Sequence, residues 1–260
     1  MNNNRIPDLF EKLKKTNKKA FIAFITGGDP DIETTEKLIC AMEKAGVDMI
    51  EIGIPFSDPV AEGPAIEKAD ERALKNGCTT DKLFDMIKRV REKTNIPLLF
   101  MTYINPVYTY GKEKFMIKCR ETGIDGLIVP DLPFEEKDEL KDECAKNNIK
   151  MVSMIAPTSG GRAEKIAKEA EGFLYCVPSP GFTGTQKKTG GGISDLIQQV
   201  RTVLSVPCVI GVGISTPEQA RDMSEISDGV IVSSAIVQII AEYGRDSVEP
   251  VTELVKKLRT

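Results

Sequence analysis

Eight short apolar runs, separated by amphipathic helical stretches, constrain this fold more than anything else in the chain. The runs are FIAFITGG (21–28), DMIEIGIPF (48–56), IPLLFMTY (96–103), GLIVPDL (126–132), IKMVSMIAP (149–157), GFLYCVPS (172–179), VPCVIGVGI (206–214) and DGVIVSSAI (228–236). They are near-continuous in apolar residues, as parallel strands covered on both faces require. Between them lie helix patterns such as TTEKLICAMEKAG, DKLFDMIKRVREK, EEKDELKDECAKN and SDLIQQVRTVL. Eight strand-then-helix units of similar size predict an α/β fold, a single closed (β/α)8 TIM barrel, in preference to an open doubly wound sheet. No linker or composition shift splits the chain, so residues 1–260 read as one domain. The opening stripe Ile6, Leu9, Phe10, Leu13 predicts an N-terminal helix capping the bottom of the barrel.

Composition narrows the chemistry. Net charge is −4, which offers no field to attract nucleic acid or an anionic membrane. No apolar stretch approaches the ~20 residues of a spanning helix, and the N-terminus lacks a signal peptide's hydrophobic segment. The six cysteines, Cys40, Cys78, Cys119, Cys144, Cys176 and Cys208, stand singly without metal spacing. They read as reduced thiols of a cytoplasmic protein. There is no histidine, which excludes histidine triads, bases and metal ligands and leaves acid–base work to Asp, Glu, Lys, Tyr or Cys. No metal site is expected.

In a barrel of this kind the chemistry sits at the C-terminal ends of the strands. Glu51 lies inside the second apolar run, where an unpaired carboxylate is costly, and no strand offers an obvious cationic partner. That position points to function. The loop after it, SDPVAEGPAIEKAD, carries Asp58 before Pro59, a turn cap, and Glu62, which by itself reads as a solvated loop acid. The stretch PSPGFTGTQKKTGGG (178–192) reads as a flexible loop with Thr183 at its centre. Gly213 in GVGIS, with Ser233 and Ser234 after the last run, marks a phosphate site beside helix N-termini. Thr216 to Gln219 forms a capping box with proline at the first helical position. These residues predict a barrel enzyme that acts on a phosphorylated small molecule with carboxylates as acid and base.

The whole chain, above all GVDMIEIGIPFSDPVAEGPAIE, resembles the tryptophan synthase alpha subunit family. FITGGDP, MTYINPVYTYG, GLIVPDLPFEE, GFTGT, GVGISTPEQA and SSAIV follow in the family's order. The resemblance implies retro-aldol cleavage of indole-3-glycerol phosphate to indole and glyceraldehyde 3-phosphate. It also implies an α2β2 assembly whose β subunit takes the indole and joins it to serine. Pyridoxal phosphate is then expected only in that β subunit, with no cofactor in this chain. Glu51 matches the family's catalytic glutamate, and Glu62 the second carboxylate, usually an aspartate. Phe24 and Tyr175 match the indole pocket and Thr183 the lid. Gly184, Gly213, Ser233 and Ser234 match the phosphate site, where Ser233 replaces a glycine. Ser179-Pro180 replaces the lid's usual Ser-Arg. Asp58, Pro59 and Asn105 lie on segments that face the β subunit. Two alternatives stay open at this point: a phosphate-binding barrel isomerase or epimerase, and a non-catalytic paralogue that only activates a β subunit.

Overall fold

The computed structural model describes residues 4–177, 190–211 and 213–259. Nine parallel strands stand among them: β1 (Ala20–Thr26), β2 (Met49–Gly53), β3 (Leu98–Met101), β4 (Gly126–Ile128), β5 (Lys150–Met151), β6 (Ser153–Ile155), β7 (Leu174–Cys176), β8 (Cys208–Gly211) and β9 (Gly229–Val232). Their order is β5-β4-β3-β2-β1-β9-β8-β7-β6. Only Val152 separates β5 from β6, and its N–H donates to Leu127 at 2.9 Å. Segment 150–155 is therefore one barrel strand, paired to β4 at its start and to β7 at its end. It closes an eight-stranded (β/α)8 barrel, as the eight apolar runs predict.

Alternate residues of each strand face opposite ways. Ile22, Phe24, Met49, Leu99, Ile128, Val209 and Ile231 pack inside the barrel. Phe21, Ala23, Ile25, Ile50, Ile52, Leu98, Phe100 and Val230 pack outward against the helices. With both faces covered, the period-2 signal disappears and the runs look continuous.

The bottom of the barrel is closed as the N-terminal stripe predicts. Helix Arg5–Lys15 buries Ile6, Phe10 and Leu13, and the Phe10 and Phe173 rings meet with centroids 6.0 Å apart. A repeated device finishes the strand starts. Asp48, Asp125 and Asp228, each just before a strand, accept the N–H of Phe21, Leu98 and Cys208 on the neighbouring strand, at 2.9, 3.0 and 2.9 Å.

The strands are shorter than the apolar runs. Ile54, Val129 and Ile214 remain buried beyond the last ladder residue, so burial continues into the loops of the mouth where pairing has stopped. Gly190, Gly191 and Gly192 are the first turn of helix Gly190–Arg201, not the end of a loop. First-turn N–H groups need no intrahelical acceptor, and the buried stripe Ile193, Leu196, Ile197, Val200 carries the helix. No helix among the described residues is long and apolar enough to cross a membrane.

Candidate active site

Because Ile50 and Ile52 face the helices, strand alternation turns Met49, Glu51 and Gly53 inward. Glu51 sits in register with Phe24 on one side and Leu99 on the other. It is 1% exposed. Among the described residues neither carboxyl oxygen has a hydrogen-bond partner. Burial alone pushes its pKa up to about 8, so at neutral pH it holds a proton ready to give. The salt bridge that would make Glu51 merely structural does not form among the described residues.

Glu62 is not a solvated loop acid. Its Oε2 is buried without a hydrogen-bond partner among the described residues, and burial, then the charge of Asp70, raise its pKa to about 8. Asp70 is 3% exposed and is also raised, by burial first. It accepts from the Thr26 hydroxyl and the Phe56 N–H, both at 3.3 Å, and so ties the loop after β2 to helix Pro64–Lys75. Tyr103 accepts from the Ala61 N–H at 3.1 Å and holds the loop's other end. The sequence reading named neither Asp70 nor Tyr103. A signal was present: the buried face of that helix is Ile66, Ala69, Asp70, Ala73, an i, i+3, i+4, i+7 stripe with an acid in it.

Phe24 and Tyr175 line the inner face beside Glu51. A Cβ on Gly53 would stand 2.9 Å from the Phe24 ring, and one on Gly211 would stand 2.2 Å from the Tyr175 ring. These two glycines are therefore what lets the aromatic rings lie across the strand ends. Burial, and next the charge of Glu51, push the Tyr175 phenol up, which keeps it neutral. Phe24, Tyr175 and the partly buried Met101 and Met154 belong to one apolar cluster on this inner face.

Two strands round the barrel from Glu51, β9 runs straight into helix Ser234–Tyr243 with Ser233 as its N-cap. Gly213 opens the neighbouring loop, and the Thr216–Gln219 capping box forms as expected, starting helix Pro217–Ile226. Ser233, Ser234 and Gly213 are all half-buried. Two helix N-termini thus lie after adjacent strands β8 and β9, an arrangement that favours an anion. Thr183, Gly184 and Ser179-Pro180 lie outside the described residues.

Asp58 and Asn105 are open to solvent, and between Pro59 and Ala61 stands Val60, an aliphatic side chain 76% exposed. Tyr108, one turn after Asn105, is also exposed.

Residues 10–260 match the family model for the tryptophan synthase alpha chain. The alpha chain of Alkaliphilus metalliredigens is 46% identical over 258 residues, covering 98% of this chain and 97% of that one. That of Caldanaerobacter subterraneus is 44% identical over 258 residues, covering 98% of each. The crystal structure of tryptophan synthase subunit alpha from Legionella pneumophila superposes with a TM-score of 0.91 at 34% identity, covering 99% of this chain and 98% of that chain. A chain of the tryptophan synthase α2β2 complex from Pyrococcus furiosus gives 0.86 at 34% identity, covering 92% and 97%. The isomerase or epimerase alternative falls with these matches. Likeness over nearly the full length, on a (β/α)8 barrel, makes this chain a member of the tryptophan synthase alpha chain family.

Proposed function

We infer that this chain is the carbon–carbon lyase of its family, cleaving indole-3-glycerol phosphate to indole and glyceraldehyde 3-phosphate, in an α2β2 complex with a β subunit. The observation that carries this is the buried carboxyl of Glu51 on the inner barrel face, which has no hydrogen-bond partner among the described residues. An acid so placed is costly to the fold and useful to proton transfer.

The steps follow from its state. Neutral Glu51 donates its proton to indole C3, and positive charge develops on the ring. The resulting carboxylate takes the proton of the adjacent side-chain hydroxyl. The C–C bond breaks, the bonding pair returns to the ring, and glyceraldehyde 3-phosphate leaves. Glu51 is protonated again, so one group serves as acid and then base. Glu62 accepts the indole N–H and stabilises the charge on the ring. Phe24 and Tyr175 line the indole pocket. Gly213, Ser233 and Ser234, with Gly184, hold the phosphate at the helix N-termini. These steps call for no cofactor in this chain, and pyridoxal phosphate belongs to the β subunit. Asp58, Val60 and Asn105, all exposed, and the half-buried Pro59 face that subunit. Six free cysteines, five of them buried, favour the reducing cytoplasm.

The test is incubation of the purified chain with indole-3-glycerol phosphate, with and without a family β subunit, while indole is measured. Indole should form slowly alone and faster in the complex. A folded chain that forms no indole in either arm, yet activates the β subunit, would be the non-catalytic paralogue instead.

A further inference from the structure

The N-terminal helix ends in KLKKTNKK (12–19), five lysines in eight residues of a chain whose net charge is −4. Lysines near a helix C-terminus answer the helix dipole, but that effect fades within the last turn. The carbonyls of Lys12, Leu13 and Lys14 are already met, by the N–H groups of Thr16, Lys18 and Asn17 at 3.2, 2.9 and 3.2 Å. Asn17, in the left-handed region at φ 52°, makes the turn. Lys18 and Lys19 lie beyond it, so neither the dipole nor the cap accounts for them.

The lysines gather at a cavity of about 740 Å3 between this helix and the strand starts at the bottom of the barrel. Lys14, Lys18, Lys19 and Lys150 line it. Three acids line it too, and each is engaged. Glu11 pairs with Lys15, Glu171 lies 3.8 Å from Lys150, and Asp228 accepts the Cys208 N–H. Lys19 donates to the Ser227 carbonyl at 2.6 Å. Lys14 and Lys18 form no side-chain hydrogen bond or ion pair among the described residues. The charge of Lys18 also reaches Asp48, which Arg259 already holds at 2.9 Å. The rest of the wall is apolar: Pro7, Leu204, Val206 and Pro207, with Phe10 and Leu13 buried behind them.

We propose that this cavity is a second ligand site, for a small organic anion whose charge lies against Lys14 and Lys18 and whose apolar body fills the cavity. An aryl carboxylate or sulfonate is the simplest such molecule. The cavity has the size of a small-molecule pocket, and a flat membrane surface cannot enter a concavity. An extended polyanion would meet the chain's overall negative charge, whereas a small anion meets only the local lysines. The site lies at the opposite end of the barrel from Glu51.

The test is calorimetric titration of the full chain, alone and with a β subunit, using 1-naphthalenesulfonate. One equivalent should bind, and more weakly as salt screens the lysines. Lys14→Gln with Lys18→Gln should weaken binding about tenfold. Both residues are exposed, so the fold should not change. Lys12→Gln with Lys44→Gln removes the same charge away from the cavity and should bind as the wild type does. Inorganic phosphate and neutral 1-naphthol, each carrying half of the recognition, should bind at least about tenfold more weakly than the sulfonate. Ser234→Asp, which sets a carboxylate at the mouth, should leave the affinity as it was. The proposal is overturned by an absence of binding, by equal losses in the two lysine pairs, or by binding that Ser234→Asp abolishes.

Discussion

The two ends of the barrel each bury an acid, and they treat it in opposite ways. At the bottom, Asp125 accepts from Arg5 Nη1 and Arg91 Nη2, each at 2.9 Å, and from the Leu98 N–H at 3.0 Å. Burial brings the Arg91 guanidinium down to about 10, but it remains charged and paired. At the mouth, Glu51 has neither a cation nor a donor among the described residues. A carboxylate fully answered by donors contributes to the fold and is chemically inert. One left unanswered keeps its proton and becomes an acid. The comparison gives each end a different expected failure when its acid is removed.

Glu51→Gln should show the largest effect. The amide keeps the shape and cannot carry the proton, so kcat should fall at least ~1000-fold, within the range typical of general acid–base groups. Stability should move the other way. Unfolded, this carboxyl titrates near 4.5, and folded near 8. Between those values the folded state holds a proton that the unfolded state has lost, so wild-type stability declines as pH rises and levels off above about 8. The variant lacks that slope and should gain on the wild type by up to about 5 kcal/mol at high pH, at 1.36 kcal/mol per unit. Parallel denaturation-versus-pH curves for the two proteins would contradict this account. The same titration predicts that wild-type kcat/KM falls as pH rises through about 8.

Asp125→Ala breaks the other side of the comparison. It leaves the partly buried Arg5 and Arg91 without their counter-charge and orphans the Leu98 N–H, a loss of about 3–5 kcal/mol by analogy with other broken buried pairs. Urea unfolding measures it. Turnover per folded molecule should stay as it was. A variant as stable as the wild type would mean that the bottom network is decoration.

Glu62→Ala should lie lower on the scale, with kcat reduced at least about tenfold for the loss of one charge-assisted bond to the ring. Glu62→Asp is the sharper variant. The loop is fixed at Ala61 by Tyr103 and at Phe56 by Asp70, so the shorter side chain should fall short of the indole N–H and lose activity as well. Aspartate activity equal to that of the wild type would show that the loop follows its side chain.

Much of this was legible in the sequence, for reasons the structure makes plain. Eight apolar runs read correctly as barrel strands because every strand is covered on both faces. Glu51 stood out because one acid in such a run has no innocent explanation. Glu62 did not, since a loop acid looks solvated until Tyr103 and Asp70, 41 and eight positions along the chain, close over it. Strand ends were overshot because the mouth loops stay apolar, as with Ile54 and Ile214, after their ladders end. The strand-leading aspartates at 48, 125 and 228 were visible as letters. Their use was not, because each serves an amide on another strand.

The smallest expected effect tests the mouth at its proposed phosphate end. Ser234 is the first residue of helix Ser234–Tyr243, where a negative side chain is favoured by the helix dipole, typically by 0.3–1 kcal/mol. Ser234→Asp should therefore leave the fold as stable as before or slightly more so. The same carboxylate occupies the field that the phosphate needs and repels it at close range. KM for indole-3-glycerol phosphate should then rise about tenfold, equivalent to about 1.4 kcal/mol of binding, and kcat should change little because the reacting carbons are remote from the phosphate. Inorganic phosphate should inhibit the variant correspondingly less than the wild type. Like Glu51, this residue would then show stability and function moving in opposite directions, which is the signature of the mouth. The bottom of the barrel, probed by Asp125→Ala, should show only the first of the two. An unchanged KM in Ser234→Asp would remove this helix N-terminus from the site and leave the phosphate to Gly213 and its neighbours.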